Sequence, residues 1–245
     1  MIVSKNNVKL KRVRKLLTSA RERQVSGLFV AEGIRLVSEV PKELRKEVLV
    51  SDQAVNVELA DFPDAEVVEQ TVFKQLSDTV HPQGILAVVE KPVWKEDEVL
   101  AKKDGKVLLL DGIRDPGNLG TMIRTAEAAG VKAVYLSPDC VDLFNPKVIR
   151  STMGSIFRVP VFSAELPTVI RRLLAEGMHV YAASLTARNS FREVDLGSAG
   201  IIIGSEASGV SEEVLRIVPE HIKIPMAGQV ESLNAAVSAA ILMFA

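Results

Sequence analysis

Glycines and short polar side chains occur together in three segments of the C-terminal half, a composition that suits ligand binding and proton transfer. The segments are residues 118–126 (NLGTMIRTA), 201–210 (IIIGSEASGV) and 224–234 (IPMAGQVESLN). Each begins at the end of a hydrophobic run that predicts a buried parallel strand. Ligands of open α/β sheets bind in the crevice beyond the carboxyl ends of the strands. The three segments therefore predict one small-molecule site and favour an enzyme.

The candidate groups in these segments are main-chain amides and a set of polar side chains: Asn118, Arg124, Glu206, Ser208, Ser232 and Asn234. Glycines at positions 204, 209 and 228 would let the main chain approach a flat ligand closely. Taken singly, each such residue is more typical of a turn or a helix cap. Three loops of this kind on one sheet favour a site.

Two common nucleotide motifs do not fit the chain. A dinucleotide site needs G-x-G-x-x-G after a strand, and the loop that follows the run LLLD contains no G-x-G. Gly112 and Gly117 have the spacing of a phosphate loop. Asn118 and Leu119 follow them, however, where that loop needs Lys and then Ser or Thr.

Composition places the chain among ordinary globular proteins. Hydrophobic residues make up 47% and charged residues 25%, and the net charge of −1 argues against a protein that coats nucleic acid indiscriminately. Neither the single cysteine, Cys140, nor any of the three histidines has neighbours at metal-ligand spacing, so no metal is expected. We interpret Cys140 as a small buried residue. No segment resembles a secretory signal or a membrane span, so a cytoplasmic location is expected.

The pattern of elements predicts two domains. Residues 1–95 indicate a small mixed α/β domain, with helices near the N-terminus, from about Ala31 and around 71–78. The charged residues 96–105 are interpreted as an exposed linker. Residues 106–245 alternate runs of Val, Ile and Leu with helices, which predicts a doubly wound parallel sheet with a terminal helix from Glu231. With that boundary, residues 106–245 are expected to fold alone.

The N-terminus concentrates positive charge. Eight basic residues lie between Met1 and Arg23, against the single acid Glu22. Apolar residues at helical spacing leave the bases on the other faces of a helix. A solvated helix face and a phosphate-binding surface are equally consistent with this pattern.

The three glycine-containing segments closely resemble, in order, the signature motifs of the SpoU (TrmH-like) branch of the SPOUT RNA methyltransferases. The resemblance continues through NPKVIRSTMGSIFRVPVF (145–162) and covers residues 106–245. Residues 28–40 (LFVAEGIRLVSEV) and 81–90 (HPQGILAVVE) resemble, more loosely, the L30e-like substrate-binding domain that precedes it in many members. His81 would be a marker of that domain.

The resemblance implies transfer of a methyl group from S-adenosylmethionine to a ribose 2′-hydroxyl of RNA. It also implies a trefoil knot in the C-terminal domain and a homodimer formed through that domain. Ribosomal RNA is the expected substrate and transfer RNA the alternative. An RNA-binding module on an inactive fold is a third possibility, against which the intact polar motif residues argue.

The resemblance also implies roles for individual residues. Positions matching the methyl-transfer site are Asn118, Arg124, Glu206, Ser232 and Asn234. Positions matching the cofactor site are Gly204, Ser205, Ile224, Met226, Gly228 and Leu233. The RNA contacts expected from positive charge are Lys9, Lys11, Arg12, Lys15 and Arg150.

The role of Arg124 stays open at this point. A ribose hydroxyl is a poor nucleophile, so the enzyme must align it and help to remove its proton. A guanidinium group stays protonated at neutral pH, which suits electrostatic stabilisation of a developing alkoxide better than general-base catalysis. Glu206 is a second candidate base.

Overall fold

The computed structural model describes residues 1–77, 82–101 and 104–245. Their contacts form two compact units. The first unit comprises Met1–Val93 and Phe144–Phe157, and the second unit comprises Trp94–Leu143 and Arg158–Ala245. His81 and Asp78, the end of one predicted helix, lie outside the described residues.

The helices and strands of the described residues alternate along most of the chain. In order they are α1 (Val8–Thr18), α2 (Ala20–Ser26), β1 (Leu28–Glu32), α3 (Ile34–Ser38), β2 (Arg45–Ser51), β3 (Glu66–Val68), α4 (Gln70–Phe73), β4 (Ile85–Glu90), α5 (Glu96–Leu100), β5 (Val107–Asp111), α6 (Pro116–Ala128), β6 (Ala133–Leu136), α7 (Pro146–Thr152), β7 (Val161–Ser163), α8 (Leu166–Ala175), β8 (His179–Ala183), β9 (Asn189–Ser190), β10 (Ala199–Gly204), α9 (Glu212–Ile217), β11 (Glu220–Lys223) and α10 (Ala235–Met243). Short 3₁₀ helices span Leu59–Asp61, Ser155–Phe157 and Phe191–Glu193.

The first unit is built on a mixed sheet with the described strand order β1-β4-β2-β3. β4 is antiparallel to both of its neighbours, and β2 is parallel to β3. The helix predicted from about Ala31 is present but begins at Ile34, because Ala31 lies within β1. Gly33 follows that strand with φ +100°, a conformation that glycine adopts easily, and the short helix α3 begins only after it.

The second unit is built on a parallel sheet with the described order β7-β6-β5-β10-β8-β11-β9. Every described strand pair in it is parallel, which confirms the predicted fold class. β5 and β10 lie in the middle and are almost wholly buried, as continuous Val, Ile and Leu runs predict. The short strand β9 was not predicted, and the terminal helix begins at Ala235 rather than Glu231. The knot stays a prediction, since strand order does not show how the chain passes between strands.

Part of the predicted linker packs against the core of the second unit. Residues 96–100 form α5, and Leu100 lies in a cluster with residues of β5, β6 and α8. The buried Tyr135 of β6 donates a hydrogen bond of 2.7 Å to Glu96. The helix α5 is therefore charged on its outer side and packs against the core of the second unit through Leu100.

The segment Phe144–Phe157 belongs to the first unit, although the sequence places it inside the predicted C-terminal domain. Phe144 and Phe157 lie 5.0 and 6.1 Å from the ring of Phe29 in β1, measured between ring centroids. Arg150 of α7 lies 4.0 Å from the buried carboxylate of Glu32. The second unit is therefore discontinuous in sequence, and the predicted position of a domain boundary at 96–105 stays a prediction.

Candidate active site

A cavity of about 560 Å³ lies in the second unit, beyond the carboxyl ends of β8, β10 and β11. Its size is typical of small-molecule sites. Apolar side chains such as Ile203 and Ile222 line it from the strands, and the loops add main chain, short polar side chains and the apolar Leu185, Met226 and Leu233. Lining residues from the predicted set are Gly204, Ser205, Glu206, Ser208, Gly209, Ile224, Met226, Ser232, Leu233 and Asn234.

The loop after β10 is a tight turn whose two ends pair with each other. Ser205 and Gly209 exchange two main-chain hydrogen bonds of 3.1 and 2.9 Å. A Cβ atom at Gly204 would lie 2.0 Å from the carbonyl carbon of Gly209 and 2.1 Å from the nitrogen of Val210. The close approach that Gly204 permits is therefore with main chain of its own motif.

A chain of hydrogen bonds joins the three motifs at the edge of the cavity. Asn118 Nδ2 donates to Glu206 Oε1, and Asn118 Oδ1 accepts from Asn234 Nδ2 at 3.1 Å. The first motif thus contacts both other motifs through one amide side chain. Glu206 and Asn234 are exposed, and Asn118 is half-buried.

Helix caps hold two members of this chain in place. Asp115 Oδ1 accepts from the main-chain nitrogen of Asn118 at 2.8 Å and begins α6. Asn234 Oδ1 accepts from Ala236 N at 2.9 Å and from Val237 N at 3.3 Å, and so begins α10. The start of α6 therefore fixes the main chain of Asn118, and the start of α10 fixes the side chain of Asn234.

Arg124 is not part of this cluster. It lies on α6 six residues after Asn118, which places it about 120° away around the axis and about 9 Å along it. Its side chain is exposed and does not line the cavity. Gly228 is also exposed and outside the lining, and a Cβ atom there would have no neighbour within 4 Å among the described residues.

The sequence did not single out one wall of the cavity. Ser184, Leu185 and Thr186 line it from the loop after β8, and Lys223 lines it from the end of β11. The rule that ligands bind beyond the carboxyl ends of parallel strands could have identified this wall as well. The run HVYAAS also ends a parallel strand in small polar residues, next to β10 in the sheet.

The basic residues of the first unit have different surroundings. Lys9 and Arg12 of α1 form ion pairs with Glu66 and Glu47, while Lys11 and Lys15 are exposed. Arg150 is partly buried beside Glu32. Their predicted RNA contacts stay predictions.

Cys140 lies outside the cavity lining. Its thiol accepts from Ile113 N and donates to Leu110 O, both at 3.3 Å. Burial raises the pKa of Cys140 above that of a free thiol.

Among the described residues no group of three or more His, Cys, Asp or Glu could hold a metal ion. None of the described helices is long and apolar enough to span a membrane.

Two family models match the chain, one in each half. Residues 105–244 match the SpoU rRNA methylase family, and residues 7–87 match the MRM3-like substrate-binding domain. The first match covers the whole cavity and all three motifs. The resemblance inferred from the motifs is confirmed.

Relatives and solved structures match over nearly the full length. The chain is 40% identical to the 23S rRNA (guanosine(2553)-2′-O)-methyltransferase RlmP of Bacillus subtilis, over 99% of this chain and 97% of that protein. A crystal structure of an RNA 2′-O ribose methyltransferase has a TM-score of 0.85 at 29% identity and covers 99% of this chain and 96% of that one. The rRNA methyltransferase of Sinorhizobium meliloti with bound AdoMet has a TM-score of 0.86 at 28% identity and covers 99% and 95%. This chain belongs to the SpoU family of S-adenosylmethionine-dependent RNA ribose 2′-O-methyltransferases.

Proposed function

We propose that the protein methylates the ribose 2′-hydroxyl of one guanosine in 23S ribosomal RNA. The observation that carries the proposal is the hydrogen-bonded chain from Asn234 through Asn118 to Glu206 at the edge of the cavity. These hydrogen bonds join the three family motifs of this protein. Its sequence is 40% identical to that of a 23S rRNA guanosine 2′-O-methyltransferase over almost the whole length. An rRNA substrate also favours a cytoplasmic location.

The cavity suits the cofactor in size and in chemistry. Apolar side chains such as Ile203 and Ile222 offer a surface for a flat ring, and main chain around Gly204 and Leu233 offers polar groups. S-adenosylmethionine supplies the methyl group when it is bound. We assign its binding to Gly204, Ser205, Ile224, Met226 and Leu233, and keep Gly228 as a candidate of the same loop.

Glu206 is the group that we assign to accept the proton of the ribose hydroxyl. Its Oε1 is held by Asn118, and no hydrogen bond within the described residues occupies its Oε2. The exposed carboxylate can therefore reach a hydroxyl at the cavity edge. Ser232, which lines the cavity, is placed to orient that hydroxyl.

Arg124 keeps its charge in this proposal. Its exposed position on α6 suits a contact with RNA phosphate, or stabilisation of the developing alkoxide, better than proton removal.

We further propose a homodimer through the second unit, with the knot that the family relationship implies. Two exposed apolar residues of the C-terminal helix region, Val237 and Phe244, support it.

The test is to map 2′-O-methyl groups in total RNA from cells with and without the protein, and to repeat the reaction with purified protein and a 23S rRNA transcript. We expect one guanosine of 23S rRNA to lose its methyl group in the deletion strain and the purified protein to restore it. A site lost only from transfer RNA would contradict the substrate. Cofactor binding without any transfer would favour an inactive RNA-binding module.

A further inference from the structure

The helix α1 carries its lysines and arginines on two different faces. Leu10, Val13 and Leu16 are fully buried and pack in the core of the first unit. Lys11 and Lys15 lie on the opposite side and are exposed. The helix is therefore amphipathic, and its outer face carries these two lysines together with the exposed Val8 and Thr18, but no acidic residue.

Lys9 and Arg12 lie at the flank of the helix and attach it to the sheet. Lys9 pairs with Glu66 of β3, and Arg12 pairs with Glu47 of β2. Both charges already have carboxylate partners within the unit. Both residues were predicted as RNA contacts. A phosphate group could bind either side chain only by displacing its carboxylate partner.

Lys11 and Lys15 have no comparable partner. Within the part of the chain that the structure describes, neither ammonium group takes part in a hydrogen bond or an ion pair. They are one turn apart, and like charges at that spacing destabilise a helix. The first acidic residue of the chain is Glu22, beyond the end of α1. A bound polyanion would remove this repulsion.

We propose that Lys11 and Lys15 form a phosphate-binding face that holds the backbone of the substrate RNA. The proposal rests on the proposed function, which makes RNA the polyanion that this protein meets. Because the net charge of the chain is −1, attraction to RNA must come from a local surface of this kind rather than from the whole molecule.

The chemistry of the face defines what it recognises. A lysine ammonium is a flexible point charge that binds phosphate without reading a base. The two side chains start about 6 Å apart along the helix axis, so both can reach one RNA strand. The face would therefore position RNA in the first unit, while the selection of the nucleotide belongs to other contacts.

The test is the salt dependence of binding to a 23S rRNA transcript that spans the position equivalent to the guanosine methylated by RlmP. The variant Lys11→Gln/Lys15→Gln should lower the slope of log affinity against log salt by about 1.5, since each neutralised phosphate contributes about 0.7 to 0.9. That change corresponds to about thirtyfold weaker binding at 0.1 M salt and no difference at 1 M. Cofactor affinity should stay unchanged.

The matched control is Lys42→Gln/Lys74→Gln, which removes two exposed lysines from other elements of the same unit. We expect its slope to equal that of the wild type. An unchanged slope in Lys11→Gln/Lys15→Gln would overturn the proposal, and so would an equal decrease in both variants, because binding would then follow net charge alone. Wild-type binding to phosphatidylglycerol vesicles but not to the transcript would also overturn it.

The same samples distinguish this proposal from the proposed function. If the wild type methylates the transcript and the slope does not change in Lys11→Gln/Lys15→Gln, the phosphate-binding face is wrong and the proposed function stands. If the wild type neither binds nor methylates the transcript, the proposed function is wrong.

Discussion

Asn234 donates a hydrogen bond of 3.1 Å to Asn118, although the two residues are 116 positions apart in the chain. The orientation of the Asn234 amide is set by its cap, because Oδ1 accepts from the main-chain nitrogens of Ala236 and Val237. Its Nδ2 must then face Asn118 Oδ1, which turns Asn118 Nδ2 towards Glu206. The start of α10 thus decides which group Asn118 presents to Glu206.

The variant Asn234→Asp should separate this orienting function from helix capping. Aspartate caps a helix as well as asparagine does, so the melting temperature should stay close to that of the wild type. A carboxylate cannot donate to Asn118, however, and Asn118 can then turn its oxygen towards Glu206. We expect transfer to slow by about tenfold or more, the scale of losing one hydrogen bond to a charged group.

Methyl transfer to the rRNA transcript and cofactor titration check this expectation together. In the control Asn234→Ala the cap is also lost, so its stability should fall by about 1 kcal/mol. In an Asn118→Ala background, Asn234→Asp should have little additional effect on the rate. A fully active Asn234→Asp would show that Asn118 is oriented without Asn234.

Gly204→Ala should damage the cofactor site through the main chain. The added methyl group would lie 2.0 Å from the carbonyl carbon of Gly209, so the turn after β10 must move. We expect a loss of at least about 3 kcal/mol of stability, at the upper end of overpacking costs, and much weaker cofactor binding. Thermal unfolding and calorimetric titration measure the two effects.

Gly228→Ala is the matched control for that substitution. In the part of the chain that the structure describes, a Cβ atom there has no neighbour within 4 Å, and the φ of Gly228 is not positive. Its stability should therefore stay within about 0.5 kcal/mol of the wild type. Equal stability of Gly204→Ala and wild type would mean that the turn tolerates displacement.

Arg124→Ala should bind S-adenosylmethionine nearly as well as the wild type, because Arg124 does not line the cavity. We expect its transfer rate to fall by at least about a hundredfold, the scale of removing one charge-stabilising donor. Single-turnover transfer with saturating cofactor measures this. A rate within about threefold of the wild type would leave no stabilising function for Arg124.

The fragment 106–245 should be poorly soluble, contrary to the expectation from a single boundary at 96–105. It contains the segment Phe144–Phe157 but lacks Phe29, against which Phe144 and Phe157 pack. Unpartnered aromatic and aliphatic side chains of that segment would form an exposed apolar patch. Sedimentation of the fragment at increasing concentration measures the aggregation.

The variant Phe144→Ser/Phe157→Ser of the same fragment should aggregate less. A monodisperse, cofactor-binding fragment with both phenylalanines intact would contradict the assignment of this segment to the first unit.

Alkylation of Cys140 by iodoacetamide should be slow in the native protein at pH 8. Burial raises its pKa, so a smaller fraction is thiolate at a given pH than for a free thiol. The rate should increase as the pH rises towards the shifted pKa. The protein unfolded in guanidinium chloride is the reference, and equal rates at pH 8 in the two states would contradict the burial of this thiol.

The fold of the second unit and the place of its cavity could be predicted because their signals are local. Continuous apolar runs such as VLLL and IIIG are typical of strands buried on both faces, and glycines with polar residues follow them. The sequence order of the motifs also identified the family and part of the cavity lining, but not the wall formed by Ser184, Leu185, Thr186 and Lys223. Helix α3 and strand β1 were harder to separate, because LFVAEGIRLV contains apolar residues compatible with both structures.

The class of the fold, the family and the polar residues available to the site follow from the amino-acid sequence alone. The contacts between distant residues do not: Phe29 with Phe144 and Phe157, Arg12 with Glu47, and Asn234 with Asn118 are seen only in the folded chain. An aromatic ring, a guanidinium group or an amide has the same local pattern whichever partner it contacts. Those partners are selected by long-range packing, which acts only after the strands have taken their positions in the sheets.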